Sequence, residues 1–241
     1  MLASADFAQL EVTRKPRVAV VATGDELTRP GEPRAPGGIV ASSTYAVQAM
    51  VREWGGEPID LGIVPDRIDE LARLPAATRE MDLIITLGGA SVGDHDLIQK
   101  ALAPHGFTLD FWKIAMRPGK PLIFGRLNEA PLLGLPGNPV SSMVCAIIFV
   151  RPAIAAMLGA PNKNLIRTAR LTVALKANGK RQDYIRAKLK VSDGRLTAEP
   201  FALQDSSMQK VFAHADALII RPVDAPAAIA GDEVQVLLLE S

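Results

Sequence analysis

The chain has little of what several classes of protein require. One cysteine in 241 residues excludes a disulfide within the chain, which is typical of a reducing compartment. The formal net charge is only +1, so no overall field attracts nucleic acid or an anionic membrane. Residues 1–6 lack a secretion signal, and the apolar run Met143–Val150, which holds Cys145 as a buried and inert thiol, is too short to cross a bilayer. The composition therefore predicts a soluble cytoplasmic protein.

Two kinds of catalytic chemistry are also missing. The histidines His95, His105 and His214 have no metal-ligand spacing, and no Ser-His-Asp or Cys-His arrangement occurs. Glycine and proline, in contrast, are plentiful, with 19 and 18 residues. They punctuate three loops, at residues 88–96, 116–121 and 134–142, each next to a predicted strand or helix. We therefore expect the functional residues in these loops.

Residues 17–157 alternate between strand-like and helix-like segments. The valine-rich run Arg17–Thr23 predicts a strand buried on both faces, and Ser43 is the expected N-cap of a helix ending near Trp54. Further strands are expected at 58–64, 81–87, 107–115, 122–124 and 132–135, and helices at 68–79, from 94 and from 139. This alternation predicts an α/β fold, a three-layer and mostly parallel sheet with helices on both faces. Ligands bind such sheets beyond the carboxyl ends of the strands.

The pattern changes after residue 160 to short β-type runs. These runs are at 169–175, 184–191, 196–200, 217–221 and 233–239. The turn Asp193-Gly194 between two of them is typical of a hairpin. The expected organisation is a connecting segment at 1–15, an α/β domain at 16–160 and a small all-β, barrel-like domain at 161–241.

The first loop has the composition of an anion-binding turn. Glycines Gly88, Gly89 and Gly93 allow a positive φ or a close approach of the backbone, and Ser91 supplies a hydroxyl. A helix beginning at Asp94 would direct its N–H groups at an anion. A simple strand-to-helix turn capped by Asp94 explains the same residues.

Three acidic residues are expected at one edge of the sheet. Glu26 and Asp66 follow the first two predicted strands, and Asp96 lies in the first turn of the next helix. Carboxylate oxygens there could hold a divalent cation such as Mg²⁺. Three separate surface acids are the alternative, and the spacing by itself favours that alternative.

The second and third loops contribute cations and hydroxyls. Lys113, Arg117 and Lys120 place three cations near Pro121; Arg117 could hold an oxyanion through two parallel hydrogen bonds, and a solvated charged loop is the alternative. In the third loop, Asn138 precedes a helix start at Pro139, and Ser141 could bind an anion, although capping of the helix is the favoured role.

Several motifs in order resemble the molybdopterin molybdenumtransferase family, which includes a bacterial enzyme and the E domain of gephyrin. The motifs are Thr23-Gly24-Asp25-Glu26-Leu27, the loop 88–96, Phe111-Trp112-Lys113 with the loop 117–121, the segment 135–141, Arg181-Gln182-Asp183-Tyr184-Ile185-Arg186, and Gln204-Asp205-Ser206-Ser207. The resemblance covers nearly all of residues 10–240. It implies molybdenum cofactor biosynthesis by a transferase that inserts molybdate into adenylylated molybdopterin, with Mg²⁺ assisting and AMP released. It also implies a homodimer, with molybdoenzyme-maturation proteins as further partners.

The resemblance also assigns roles to individual residues. It implies catalytic roles for Glu26, Asp66, Asp96, Lys113 and Arg117, with Asp96 and Glu26 as metal ligands. The implied cofactor-binding residues are Gly88, Gly89, Ser91, Gly93, Lys120, Pro121, Asn138, Ser141, Arg186, Ser206 and Ser207.

The sequence departs from the family pattern in two ways. Arg117 stands where many relatives have lysine. Family members also carry an N-terminal half that contributes to the dimer and its active-site cleft, so this chain is expected to be the C-terminal part of the enzyme, or a short form. Full activity of the chain alone is not expected, although its α/β site could still bind nucleotide or pterin. A related molybdopterin adenylyltransferase and a non-catalytic scaffold of the same fold are the alternative functions.

Overall fold

The structure, a computed structural model, describes residues 3–88, 94–161, 164–192 and 194–239, with only the backbone for 94–96. Its strands are β1 (Arg17–Thr23), β2 (Leu27–Thr28), β3 (Ile39–Val40), β4 (Glu57–Val64), β5 (Leu83–Leu87), β6 (Phe107–Trp112), β7 (Met116–Arg117), β8 (Ile123–Leu127), β9 (Ala130–Leu135), β10 (Ile166–Leu171), β11 (Gln182–Ser192), β12 (Arg195–Pro200), β13 (Ala217–Arg221) and β14 (Glu233–Leu238). Its α-helices are α1 (Ser42–Glu53), α2 (Ile68–Leu71), α3 (Leu74–Ala77), α4 (Asp94–Leu102), α5 (Pro139–Cys145), α6 (Arg151–Met157) and α7 (Gln209–Ala213).

The first sheet has the strand order β4-β1-β5-β9-β8-β6. Its pairings from β4 to β9 are parallel, and β8 runs antiparallel to both β9 and β6. The carboxyl ends of β1, β4, β5 and β9 therefore share one edge with the start of β8 and the end of β6. Glu26, Asp66, Gly88 and Asn138 closely follow the ends of these strands and so lie at this edge, whereas Arg186, Ser206 and Ser207 lie in the C-terminal part of the chain.

Helices cover both faces of this sheet, as the sequence predicts. On one face, α1 and α5 pack against alternate residues of β1 and β5, with Val47, Val144 and Val20 fully buried. On the other face, Leu71 and Ile98 from α2 and α4 pack against the opposite set of strand residues. The period of two along a strand explains why neighbouring residues of β1 enter different cores.

Two local predictions are wrong. Helix α1 begins at Ser42 with Ala41 as N-cap and no side-chain capping bond, so Ser43 is not its cap. The helix expected at 68–79 is interrupted, because α2 ends at Leu71 and a new turn, α3, begins at Leu74. Pro75 has no N–H to continue the first helix, and it is tolerated only in the first turn of the second.

The second sheet closes into a five-stranded barrel. Its order is β12-β10-β14-β13-β11, and a pairing of β12 with β11 closes the ring. Its interior is small and apolar, with buried alanines at positions 169, 187, 198 and 217. The expected β-type runs overlap these strands, although the first run, expected at 169–175, is found at Ile166–Leu171.

The two sheets are joined by hydrogen bonds and by a shared core. Strand β7, which lies in the second loop, adds to the barrel by parallel pairing with Gln182 and Asp183 of β11. Leu218 of the barrel belongs to the same buried cluster as Val20 of the first sheet.

Helices α5 and α6 form one continuous helix, Pro139–Met157, through a π-helical segment at Ala146–Val150. By length and composition alone this helix could cross a membrane, with a mean hydropathy of 1.9. However, 56% of it is buried inside the protein, where it packs against the first sheet as a core helix.

Candidate functional site

Two cavities lie along the loop-bearing edge of the first sheet, and a turn of the barrel separates them. The sheet-edge cavity has a volume of about 380 Å³, and the junction cavity, between the first sheet and the barrel, has about 570 Å³. Ser206 lines the junction cavity and its neighbour Ser207 lines the sheet-edge cavity. The turn that holds both serines therefore forms part of each wall.

The sheet-edge cavity combines an apolar wall with polar groups that are ready to bind a ligand. Its walls include Thr23, Glu26, Gly88 and Asn138. The hydroxyl of Thr23 and the side-chain oxygen Oδ1 of Asn138 are buried with no hydrogen-bond partner in the described part of the chain. Buried polar atoms are normally paired, so these two atoms indicate a missing partner such as a ligand or an ordered water.

Gly88 allows the chain to turn at the floor of the sheet-edge cavity. Its φ is +98°, and a Cβ at this position would lie 2.4 Å from the carbonyl oxygen of Thr23. Any side chain would therefore displace the end of β1. Gly88 therefore has the positive φ that the sequence predicts.

Of the predicted acidic residues whose side chains the structure describes, Glu26 lines one of these two cavities and Asp66 lines neither. Its carboxylate folds back over Gly24, 2.7 Å from where a Cβ would stand. Asp66 follows β4 at the same edge, and its N–H donates to the Asp25 carboxylate at 3.2 Å. Within the described side chains, no group of three or more His, Cys, Asp or Glu could hold a metal ion.

The junction cavity is lined mainly by polar and charged residues. The loop 117–121, here called the basic loop, contributes Arg117, Pro118, Gly119, Lys120 and Pro121, helix α5 contributes Ser141, and the barrel contributes Arg181, Asp183, Tyr184, Ile185, Arg186, Gln204, Asp205 and Ser206. Four of these are cationic and two are acidic, so the cavity has an excess of positive charge. It can attract an anion although the whole chain is almost neutral.

The basic loop of the junction cavity is fixed to the barrel. Arg117 forms an ion pair with the carboxylate of Asp183, whose side chain is 6% exposed, while its own side chain is 59% exposed. Below the loop, a Cβ on Gly119 would lie 2.5 Å from Sγ of Cys145. Cys145 is buried, and burial raises the pKa of its thiol to about 12. The loop therefore has little freedom to move inwards.

Arg186 is the most deeply buried cation of the junction cavity, with 1% exposure. Its Nη2 donates to the carbonyl oxygen of Asp205 at 3.2 Å, whereas Nε is buried without a partner among the described residues. Burial lowers the pKa of Arg186, and the nearby Asp205 carboxylate opposes that shift. A buried guanidinium with an unused donor is a strong binding group for an oxyanion.

The start of helix α5 is satisfied by the barrel rather than by its own side chains. The N–H of Val140 donates to the carbonyl oxygen of Ser206 at 3.1 Å. Asn138, the N-cap residue, makes no side-chain capping bond, and the Ser142 hydroxyl donates to the carbonyl oxygen of Pro139. Capping is therefore not the role of the Asn138 side chain, which faces the sheet-edge cavity.

Other predicted residues lie elsewhere or outside the described residues. The Nζ of Lys113 lies 3.4 Å from the ring centre of Trp112, and Lys113 is not a wall residue of either cavity. Gly89, Ser91 and Gly93 lie outside the described residues. Asp96 lies in the first turn of α4, as expected, but its side chain is also outside them.

Several wall residues of the junction cavity had no predicted role, among them Arg181, Asp183, Tyr184 and Gln204. All four occur in the two motifs, 181–186 and 204–207, that carry the family resemblance in the barrel. Burial raises the pKa of Tyr184, so its hydroxyl stays protonated. The motifs were thus a sufficient indication of their position, although not of their contacts.

Comparison with known proteins points to one chemistry. Residues 19–156 match a family described as "Probable molybdopterin binding domain", and residues 168–239 match "MoeA C-terminal region (domain IV)". Molybdopterin molybdenumtransferases from Nostoc sp. and Haemophilus influenzae are 36% and 34% identical to this chain over 99% and 98% of its length. The chain spans 56% and 59% of those two relatives. A MoeA molybdopterin biosynthesis protein from Pyrococcus horikosii superimposes with a TM-score of 0.80 at 30% identity, over 94% of this chain and 55% of that one.

Proposed function

The chain belongs to the molybdopterin-binding domain family, and on this premise we propose that it acts in molybdenum cofactor biosynthesis as part of a molybdopterin molybdenumtransferase. In this reaction, molybdate is inserted into the dithiolene of adenylylated molybdopterin. The dithiolene sulfurs replace oxygen ligands of molybdate, which leave as water, and water cleaves the phosphoanhydride bond, so that AMP leaves and the other phosphate stays on the cofactor. Residues 16–160 would be the α/β domain of the enzyme and residues 161–241 its β domain.

The unpartnered Nε of buried Arg186 is the observation that carries this proposal. Molybdate is a tetrahedral oxyanion, which a guanidinium binds through directed N–H donors and a lysine binds as a point charge. Lys120 and Arg186 lie in the walls of one cavity with Ser206. We assign molybdate to the junction cavity for this reason.

The sheet-edge cavity suits the flat, less charged part of the substrate. Its apolar wall can cover a heterocyclic ring, while the free oxygens of Thr23 and Asn138 can accept hydrogen bonds from ring N–H groups. The turn at Ser206-Ser207 borders both cavities, so a ligand that spans them would pass over it. An elongated substrate with a ring system and a pyrophosphate fits this arrangement.

Glu26 and Asp96 would hold Mg²⁺. Magnesium usually keeps several waters and binds one or two carboxylates together with substrate phosphates, so a set of three protein ligands is not required. Glu26 in the wall of the sheet-edge cavity provides one such carboxylate. The ion would neutralise negative charge that develops on the leaving phosphate.

The alternative functions have less support. An adenylyltransferase would use the α/β part, whereas residues 168–239 match the MoeA C-terminal region and supply Arg186 to the junction cavity. A scaffold would not require a buried cation with an unused donor. We further propose a cytoplasmic homodimer that is completed by an N-terminal half and delivers its product to molybdoenzyme-maturation partners.

The direct test is AMP release from adenylylated molybdopterin in the presence of molybdate and Mg²⁺. The purified chain is assayed alone and with a separately supplied N-terminal half from a relative. We expect molybdate-dependent AMP release with both halves. In Arg186→Lys, which keeps the charge but loses the Nε donor, we expect the rate to fall by about a hundredfold, the loss of about 2–3 kcal/mol that a charge-assisted hydrogen bond supplies.

Lys190→Gln is the matched control, because Lys190 pairs with Glu199 on the barrel surface and its side chain is 68% exposed. This variant should retain the wild-type rate. Failure of the wild-type chain to bind molybdate or the pterin, with or without the second half, would contradict the proposed function.

A further inference from the structure

The side chain of Gln204 is bonded to both backbone groups of Arg186. Its Oε1 accepts from the N–H of Arg186 at 3.0 Å, and its Nε2 donates to the carbonyl oxygen of Arg186 at 3.0 Å. Nε2 also donates to the carbonyl oxygen of Phe201 at 2.8 Å. The N–H of Phe201 also donates to the carbonyl oxygen of Arg186 at 3.0 Å, so the Gln204 amide adds to one backbone bond and supplies the partner of the Arg186 N–H.

Gln204 acts at the point where the strand pairing stops. The pairing of β12 with β11 ends at Pro200 and Ala187, one residue before Arg186 is reached. Beyond Pro200 the chain leaves the barrel and forms the turn that contains Ser206 and Ser207, here called the serine turn. The Gln204 amide, together with the backbone bond from Phe201, keeps this departing segment in contact with β11 at the residue that carries the buried guanidinium.

The segment that Gln204 fixes is the turn that separates the two cavities. Directly after Gln204, Asp205 accepts from the Arg186 guanidinium through its carbonyl oxygen and from the Ser207 hydroxyl through its carboxylate, at 2.6 Å. The carbonyl oxygen of Ser206 then accepts from Val140 at the start of α5. The turn is thus anchored at one end by Gln204 and at the other by helix α5.

We propose that Gln204 is a positioning residue, which sets the distance between the Arg186 guanidinium and the serine turn so that both meet the same oxyanion. This inference rests on the proposed function, because molybdate is the oxyanion. Gln204 itself uses all its described hydrogen bonds on backbone atoms and acts on the anion only through Arg186 and Ser206.

The test combines anion binding with nuclear magnetic resonance of the full chain. Gln204→Leu has a similar size but makes no hydrogen bonds. We expect it to bind molybdate at least about tenfold more weakly in calorimetry and to exchange the Arg186 backbone amide at least about tenfold faster. The Nε–H resonance of Arg186, identified by its loss in Arg186→Lys, should shift when molybdate is added to the wild type and shift less in the variant.

Two further variants distinguish a loss of positioning by Gln204 from a general loss of folding. Gln204→Glu keeps the acceptor for the Arg186 N–H but loses both donated bonds, so the amide should stay protected while molybdate binding is weakened. Gln235→Leu, at an exposed position of β14, should match the wild type in all three measurements.

The possible outcomes test the inference about Gln204 and the proposed function separately. Unchanged molybdate affinity in Gln204→Leu would overturn the inference, whether or not the amide exchanges faster. No molybdate binding by the wild type would contradict the proposed function instead. In that case the inference would be decided without molybdate. The Arg186 amide exchange and the Arg186 Nε–H resonance of the free protein must then differ between Gln204→Leu and the wild type.

Discussion

Asp183 is a buried carboxylate in the wall of a cavity that we assign to an anion. Its side chain is 6% exposed, and one of its oxygens, Oδ1, has no partner among the described residues. A carboxylate in this position repels an anion unless a cation neutralises it, and Arg117 supplies that cation. The pair therefore explains how an acidic residue is tolerated beside Lys120 and Arg186.

Asp183→Asn should destabilise the protein by about 1–2 kcal/mol, because it replaces a charge-assisted hydrogen bond with a neutral one. This expected loss of stability is small for an ion pair with a buried partner, because solvent reaches the Arg117 side chain and screens the charges. Urea unfolding followed by circular dichroism measures it.

The control for Asp183→Asn is Glu199→Gln, which breaks the exposed pair of Glu199 with Lys190 on the same barrel. We expect that change to cost less than about 0.5 kcal/mol. Equal losses in the two variants would show that the Arg117–Asp183 pair behaves as an ordinary surface pair.

At the scale of elements, the basic loop depends on a glycine that lies against the core. Gly119 has a φ of +107°, and a Cβ there would meet Sγ of Cys145 and the Cε of Met116 at 2.5 and 2.6 Å. Gly119→Ala should therefore cost about 1–2 kcal/mol from backbone strain and about 1–3 kcal/mol from overpacking. Urea unfolding measures the sum.

A second measurement follows the loop itself. In the wild type, burial and the raised pKa of Cys145 should make its thiol almost unreactive towards a thiol reagent near pH 8. If Gly119→Ala lifts the loop, Cys145 should be labelled faster, whereas Gly31→Ala should leave the labelling rate unchanged.

Gly31 is a suitable control because its φ is +85° and nothing lies within 4 Å of an added Cβ. Gly31→Ala thus reports strain without overpacking. If it costs as much as Gly119→Ala, the contact of the basic loop with Cys145 contributes nothing to stability.

The strands and helices were predictable where a local pattern sets them. The strand Arg17–Thr23 has its predicted bounds, because it is a continuous apolar run between a proline and a glycine. The start of α1 was not predictable to the residue, because Ser42, Ser43 and Thr44 are all good capping residues. The structure buries Ser43 in the wall of the sheet-edge cavity instead.

The site was predictable as a set of loops but not as two cavities. Lys120, Ser141 and Arg186 were expected in the binding region, and they line the junction cavity together. The pairing of β7 with β11, which joins the basic loop to the barrel, links residues 66 positions apart, as Arg117 and Asp183 show. No local pattern encodes such a pairing, so the contacts of Asp183 and Gln204 needed the structure.

At the scale of the whole molecule, the two sheets share one core. Leu218 of β13 is fully buried in the cluster that also contains Val20 of β1 and Val144 of α5. Trp54, which follows α1, packs against the same cluster. Both tryptophans precede the barrel in the chain, so their fluorescence reports on the α/β part.

Leu218→Ala should therefore destabilise the α/β part although the change is in the barrel. Truncating a buried leucine costs about 2–5 kcal/mol, and we expect the tryptophan fluorescence and the circular dichroism to show the same lowered urea midpoint. Leu203→Ala is the control, because Leu203 is 59% exposed and its loss should change the midpoint little. If the tryptophan transition of Leu218→Ala stays at the wild-type midpoint while the dichroism shows an earlier one, the barrel unfolds independently, and the junction cavity is a contact between two separately stable units.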